Sequence, residues 1–167
     1  MKIDYLHASK YGNGAAVAAE FKRQMGAAGV TVDVHHIREV KPSDLPPANL
    51  YVFSSPGRFG KPIRAMRRFL KKTTLPTGSS YAILTTEAEP NPDGASKWQR
   101  VGPIMNEILE GKGLVKVAED KIFVTGLKGP LEHGWERKVE GFITRLPVGA
   151  GRITPDEQTT IVADGAR

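Results

Sequence analysis

A segment that could hold a phosphate combines one hydroxyl, one lysine and two glycines. It reads Ala8-Ser9-Lys10-Tyr11-Gly12-Asn13-Gly14 and lies between a strand-like run and a helix-like run. Free N–H groups at a helix N-terminus suit an anion, and glycines let the backbone approach it closely. Ser9 adds a hydroxyl donor, and Lys10 could add charge. The alternative is an ordinary Gly/Asn turn, because short glycine motifs have many false positives.

The glycine spacing argues against two common nucleotide loops. A Walker loop would need Gly-Lys-Ser/Thr after its first glycine. Gly12 and Gly14 begin the G-x-G-x-x-G of dinucleotide binders, but residues 15–17 do not complete it. The segment therefore favours a mononucleotide phosphate held without magnesium.

Two later loops could contribute to the same site. Residues 54–62 place Phe59 between Arg58 and Gly60, where an exposed aromatic ring could stack on a ligand or, alternatively, plug the loop into the core. Residues 86–98 form a polar segment that contains proline and glycine, and loops of this length are functional or disordered. We interpret Trp98 as the hydrophobic start of the following helix rather than as a stacking residue.

The segments that position these loops alternate strand-like with helix-like periodicity. The patterns predict strands at 3–7, 30–35, 49–54, 81–85 and within 115–124, and helices at 14–29, 62–72, 101–109 and within 132–146. Residues 37–48 contain three prolines and predict a loop with at most one helical turn. This alternation predicts a doubly wound α/β domain, with a five-stranded parallel sheet and helices on both faces. Its ligands would bind beyond the carboxyl ends of the strands.

The glycine segment resembles the phosphate loop of flavodoxins. Ser9, Gly12 and Ala18 match that family's pattern in register. His7 departs from it, since the family prefers Phe or Tyr there, and Gly14 stands where the family has a threonine whose hydroxyl also holds phosphate. The second loop and its helix agree with flavodoxin-like oxidoreductases through a further set of residues: Ser55, Pro56, Phe59, Gly60, Met66 and Phe69.

The resemblance implies strand order 2-1-3-4-5 and FMN as the cofactor. It implies that FMN contacts Ser9, Lys10, Tyr11, Gly12, Asn13 and Gly14; Ser55, Pro56, Gly57, Arg58, Phe59 and Gly60; and Thr86, Glu87 and Ala88. The implied function is electron transfer between redox partner proteins. Three alternatives stay open: an FMN-dependent reductase or oxidase of a quinone, porphyrinogen or similar small molecule; a flavodoxin-like scaffold without flavin; and a nucleic-acid-binding protein.

Composition limits these functions. The 167 residues suit one domain, predicted at 1–146, followed by a tail at 147–167 that could dock a short helix. The absence of cysteine excludes disulfides, thiolate metal sites and cysteine nucleophiles, so redox chemistry needs a bound cofactor. We interpret His35, His36 and His133 as solvated polar residues rather than metal ligands. We expect a cytoplasmic protein without a membrane span.

The net charge of +6 suits an acidic redox partner. Five cations on the predicted second helix are expected to face solvent: Arg64, Arg67, Arg68, Lys71 and Lys72. Nucleic acid is disfavoured as a partner, because no aromatic residues interleave with these cations and no nucleic-acid motif is present. The sequence does not indicate an oligomeric state.

Overall fold

Strands and helices alternate along the described chain. The computed structural model describes residues 1–90, 99–126 and 128–148. The strands are β1 (Lys2–His7), β2 (Thr31–His36), β3 (Leu50–Ser54), β4 (Gly57–Arg58), β5 (Lys61–Pro62), β6 (Ser80–Ala88) and β7 (Val115–Val124). The helices are α1 (Asn13–Ala27), α2 (Arg64–Lys72), α3 (Val101–Glu110) and α4 (Trp135–Thr144).

The five long strands form one parallel sheet in the order β2-β1-β3-β6-β7. β4 and β5 pair with each other as a short antiparallel hairpin outside that sheet. Counted without the hairpin, the order of the long strands is 2-1-3-4-5, so the predicted fold class is confirmed. β2 is an edge strand, as its alternating sequence predicts.

Each face of the sheet has its own apolar core. On one face, α1 and α4 contribute Phe21 and Phe142, which are fully buried. On the other face, α2 and α3 contribute Met66 and Met105, also fully buried. Burying a side chain of this size stabilises the fold by about 1.5–3 kcal/mol. The two cores fix the sheet between its helices and leave its ends free for loops.

Two predicted boundaries are wrong. Pro62 does not begin a helix: it pairs with Gly57 in the hairpin, and α2 begins at Arg64. The fourth long strand does not end at Thr85, because β7 pairs with β6 along its full length as far as Ala88. Residues 86–88 therefore belong to a strand rather than to a loop.

The remaining segments agree with the sequence patterns where they are described. Residues 37–48 contain turns and no helix, and their apolar side chains pack on the α2 side of the sheet. None of the helices in the described ranges is long and apolar enough to cross a membrane. The predictions for Trp98 and for residues 149–167 lie outside the described residues.

Candidate functional site

A cavity of about 340 Å³ lies where the strand order of the sheet reverses. β1 lies between β2 and β3, so the connections after β1 and after β3 leave the sheet in opposite directions and open a crevice between them. The described residues that line the cavity are Ser9, Lys10, Tyr11, Asn13, Gly14, Pro56, Gly57, Arg58, Ile63, Thr86, Ala88, Val124 and Gly126. Three predicted segments thus meet at one place.

The glycine segment ends in an open helix N-terminus. Gly12 is the N-cap of α1 and has a φ of 92°, a left-handed conformation that glycine adopts at little cost. No side chain caps the helix, and its first turn contains no acidic residue. The first N–H groups of α1 therefore remain available to an anion, which the helix dipole also attracts.

The side chain of Ser9 bonds to the N-cap residue of α1. Its Oγ accepts a hydrogen bond from the N–H of Gly12 at 3.1 Å, which leaves the hydroxyl proton free for a ligand oxygen. A Cβ at position 14 would lie only 3.2 Å from the Cβ of Ser9. Gly14 thus allows the two segments to approach, which gives the residue a packing reason where the resemblance expects a threonine.

Two histidines hold the backbone of Ser9, one at its N–H group and one at its carbonyl oxygen. Its N–H donates to Nδ1 of His7 at 3.2 Å, and its carbonyl oxygen lies 3.2 Å from Nε2 of His36. Nδ1 of His36 accepts from the N–H of Arg38, so the His36 proton resides on Nε2 and is donated to Ser9. The two rings lie edge to face, with centroids 5.1 Å apart. Burial, and then the nearby His36, lower the pKa of His7, which favours the neutral His7 ring that accepts from Ser9.

The interpretation of the histidines as solvated residues is therefore wrong for two of the three. His36 is partly buried against the glycine segment, and His35 is partly buried, with its Nε2 3.3 Å from Oδ1 of Asp4. His133 is exposed, as predicted. Contacts between residues far apart in sequence produced the difference, and the pattern of β2 alone did not show them.

The β4–β5 hairpin presents Phe59 at its tip. Phe59 is 76% exposed and has a φ of 52°, and Gly60 follows with a φ of 72°. Two successive positive φ values are typical of the tight turn that matches strand twist, but the first is unfavourable for a phenylalanine. Phe59 and Gly60 lie beside the cavity rather than in its lining. The alternative interpretation, in which Phe59 plugs the core, is wrong.

The other predicted residues of the second and third loops differ in their access to the cavity. Ser55 is fully buried, and its Oγ donates to Pro56 and accepts from Ile63, so it shapes the loop. Glu87 is also buried; it accepts a hydrogen bond from Thr85, packs against Gly57 and is not among the residues that line the cavity. Thr86 and Ala88 line the cavity. Residues 91–98 lie outside the described residues.

A fourth segment, after β7, completes the cavity and was not predicted. Val124 and Gly126 line it, and Nζ of Lys128 lies 5.9 Å from the centre of the Tyr11 ring. The side chain of Asn13 lies 2.8 Å from where a Cβ of Gly129 would stand. The only sequence signal was a pair of glycines after the last strand.

The cavity has a positive border. Nζ of Lys10 and Nζ of Lys128 lie 5.5 Å and 5.9 Å from the centre of the Tyr11 ring. The guanidinium carbon of Arg58 lies 5.8 Å from the centre of the Phe59 ring. None of the described lining residues is acidic. Within residues 1–90, 99–126 and 128–148, no cluster of His, Asp or Glu could hold a metal ion. The arrangement suits an anionic organic ligand with an aromatic part.

Comparison with solved structures identifies the fold. The oxidised flavodoxin 2 of Bacillus cereus superposes with a TM-score of 0.70 at 17% identity, covering 87% of this chain and 97% of that one. A flavodoxin from the domain Archaea gives 0.64 at 18% identity, covering 85% and 93%. The rubredoxin oxygen:oxidoreductase of Desulfovibrio gigas gives 0.62 at 13% identity, covering 86% of this chain and 34% of that one. No protein-family model and no curated protein sequence matches the chain.

Proposed function

We propose that this chain, which has the flavodoxin-like fold, binds FMN and transfers electrons between redox proteins. The supporting observation is the cavity at the sheet's reversal point, which opens onto the uncapped N-terminus of α1. Its volume of about 340 Å³ suits a small organic ligand. The solved flavodoxins of the same fold support the choice of ligand.

The phosphate of FMN would bind at the start of α1. The N–H groups of the first turn, the hydroxyl of Ser9 and the charge of Lys10 are the donors available there. His7 and His36 hold Ser9 in place, so the loop is organised before the ligand arrives. A preorganised loop loses less entropy on binding. This anchoring compensates for the hydroxyl that is missing at Gly14.

The flavin ring would occupy the remainder of the cavity. The backbone of residues 56–58 approaches it on one side, and Thr86 and Ala88 line it from β6. Phe59, at the hairpin tip, is the aromatic ring that would cover the flavin, with Gly60 giving the turn its shape. When bound, FMN supplies the redox chemistry. The protein positions the ring and sets its surroundings.

FMN is preferred over FAD because the site provides one phosphate cradle. Of the two uncapped helix starts at the cavity, that of α1 combines a left-handed glycine N-cap with the hydroxyl of Ser9, whereas the N-cap residue of α2 is the apolar Ile63. A dinucleotide would extend its second phosphate and adenine over the exposed rim beside Tyr11. We therefore expect the mononucleotide to bind at least as tightly as the dinucleotide.

A thermodynamic cycle tests the phosphate contact. The change Ser9→Ala removes a hydroxyl that would donate to a charged oxygen, which should cost about 1.5–3 kcal/mol, or about ten- to a hundredfold in FMN affinity. Riboflavin lacks the phosphate and should bind the wild type and the variant almost equally. Flavin fluorescence quenching measures all four affinities. An equal loss for both ligands would show that Ser9 supports the loop without contacting phosphate.

The enzyme alternative would use the same site with a different electron acceptor. In that case the FMN-loaded protein, reduced by dithionite, should pass electrons to a small quinone much faster than to any redox protein tested. Slow reduction of the quinone, at a rate that rises linearly with quinone concentration and does not saturate, would favour the carrier. Both outcomes require FMN to bind first.

A further inference from the structure

A surface of uncompensated positive charge runs from the cavity along α2. We define this basic face by its six exposed cations: Arg58, Lys61, Arg64, Arg68, Lys71 and Lys72. Arg58 lines the cavity, Lys61 lies on the next strand of the hairpin, and α2 begins three residues after Lys61, at Arg64. The charge is therefore continuous with the candidate cofactor site.

Carboxylates do not neutralise this charge in the described part of the chain. Five of the nine residues of α2 are basic and none is acidic. The ion pairs of residues 1–90, 99–126 and 128–148 lie elsewhere, for example Lys138 with Glu132 and Lys116 with Glu119. Cations without an ion pair among the described residues also occur elsewhere, for example Lys22, so the basic face is distinguished by its density: residues 58–72 carry its six cations and no acidic residue.

Helix stability accounts for Lys71 and Lys72, which lie in the last turn of α2, where the helix dipole favours cations, but not for Arg64 and Arg68. Arg64 lies in the first turn of α2, where the helix dipole disfavours a cation by about 0.3–1 kcal/mol. Arg64 with Arg68, and Arg68 with Lys72, are like charges four residues apart, which also destabilise a helix slightly. A sequence shaped only for folding would place acidic residues at these positions. The charge therefore points to a ligand outside the chain.

Arg67 belongs to α2 but not to the basic face. It is partly buried, and its Nε is buried without a hydrogen-bond partner among the described residues. The expectation that Arg67 faces solvent is wrong, because its side chain is partly buried and its Nε is shielded from solvent. Charge-reversal tests should therefore leave Arg67 unchanged.

We infer that the basic face is a docking surface for an electron-transfer protein that carries an acidic patch. This inference rests on the proposed function and adds the polarity of the partner. Opposite charges steer such a partner towards the cavity, where electrons would enter or leave. Docking beside the cavity also shortens the distance that an electron travels.

Two other anionic partners fit the basic face less well. Nucleic acid without sequence preference is held by cations together with several exposed stacking rings, whereas residues 58–72 offer one exposed ring, Phe59, which the proposed function assigns to the flavin, and Phe69 of α2 is buried. An anionic membrane favours a helix with an exposed apolar side, whereas Met66 and Leu70 face the core. The observations therefore favour a protein.

The test compares two charge reversals of equal size on opposite faces of the sheet. One variant carries Arg64→Glu and Arg68→Glu on the basic face. The control carries Lys22→Glu and Arg137→Glu, which are exposed on α1 and α4. The probes are an acidic haem protein, cytochrome b5, and a basic one, cytochrome c. NMR titration gives the affinities at about 10 mM and about 500 mM salt, which spans strong and weak screening.

We expect the wild type and the control to bind the acidic probe, with affinity that falls as salt is added. The basic-face variant should bind it at least about tenfold more weakly at low salt and should gain affinity for the basic probe. Equal losses in both variants, or stronger binding of the wild type to the basic probe, would overturn the inference. So would tighter binding to a single-stranded oligonucleotide than to the acidic probe.

Failure of the docking inference and failure of the proposed function are distinguishable. The titration needs no bound flavin, so it reports on docking even if the purified chain carries none. A protein that stays colourless after FMN is added, yet binds the acidic probe through the basic face, would contradict FMN binding alone. A flavin-loaded protein without charge-dependent docking would contradict the docking surface alone.

Discussion

Gly12 and Gly26 offer a matched pair for testing the glycine segment. Both positions have open space where a Cβ would stand, but only Gly12 has a positive φ, of 92°. Gly12→Ala should therefore destabilise the protein by about 1–2 kcal/mol through backbone strain. Gly26→Ala, inside α1, should be neutral or stabilising by up to about 1 kcal/mol. Urea unfolding measures both changes.

The same pair separates a binding role from a folding role. Gly12→Ala should weaken FMN binding more than riboflavin binding, because the strained loop no longer aims its N–H groups at the phosphate. Gly26→Ala should leave both affinities unchanged. The larger Gly12→Val change should abolish FMN binding. If Gly12→Val bound FMN normally, the glycine segment would be an ordinary turn.

Phe59 combines backbone strain with exposure, a pairing that marks functional positions. Phe59→Gly should relieve the strain and raise the free energy of unfolding of the flavin-free protein by about 1 kcal/mol. Phe59→Ala removes the same ring but keeps the strain, so it should be less stable than Phe59→Gly. Both changes should weaken FMN binding to a similar degree. Unchanged FMN affinity in both would remove Phe59 from the flavin site.

For individual residues, the sequence predicted the contacts that form between neighbours in the chain. Ser9 and Gly12 could be recognised because a strand, a hydroxyl, a glycine and a helix start follow one another directly. His36 and Lys128 could not be recognised. His36 contacts Ser9 from 27 residues further along the chain, and Lys128 lies near Tyr11 from more than a hundred residues away. The resemblance placed Glu87 at the site, but its buried side chain packs against Gly57 and does not line the cavity.

At the scale of elements, β1 and β2 share a buried polar contact that should affect stability. Asp4 is fully buried, and neither of its oxygens has a well-formed hydrogen bond among the described residues, although Nε2 of His35 lies 3.3 Å away. Burial raises the pKa of Asp4, against the opposing charges of His35 and Lys2. Asp4→Asn should therefore stabilise the protein at pH 7, by about 1 kcal/mol.

The pH dependence of that difference has a definite sign. Folded Asp4 holds its proton more tightly than unfolded Asp4, whose ordinary value is 3.8. The wild type therefore loses stability as pH rises from that value through the raised folded pKa. The advantage of Asp4→Asn should grow over the same range and then level off. Asp44→Asn, at an exposed carboxylate outside this contact, is the control for the change of side chain.

Urea unfolding of the three proteins at several pH values measures this effect. An Asp4→Asn variant that is less stable than the wild type at pH 7 would show that the ion pair with His35 outweighs the desolvation of the carboxylate.

Periodicity predicted the long elements well because each strand or helix buries one repeating stripe. It did not predict the β4–β5 hairpin, whose two-residue strands are too short to show a period. It also ended β6 too early, since Thr86 and Glu87 are polar and their strand character comes from pairing with β7. Short strands and polar extensions depend on partners distant in the chain.

At the scale of the whole molecule, the net charge of +6 is unevenly distributed. Among the residues that the structure describes, the cations of the basic face and the cavity rim form no ion pair, whereas Arg23, Lys138 and Arg145 pair with carboxylates elsewhere. This separation gives the molecule a positive side that includes the candidate cofactor site. The sequence predicted the charge on α2, but only the fold places it beside the cavity.

We further propose that residues 1–146 form the folding unit and that 147–167 form a tail.

The visible absorption spectrum of the purified protein tests the central claim most directly. We predict the two absorption bands of an oxidised flavin, and a released chromophore with the mass of FMN. If the protein is purified without flavin, added FMN should restore the spectrum and raise the melting temperature, because it binds only the folded state. A colourless protein whose melting temperature does not respond to added FMN would show that the chain does not bind FMN.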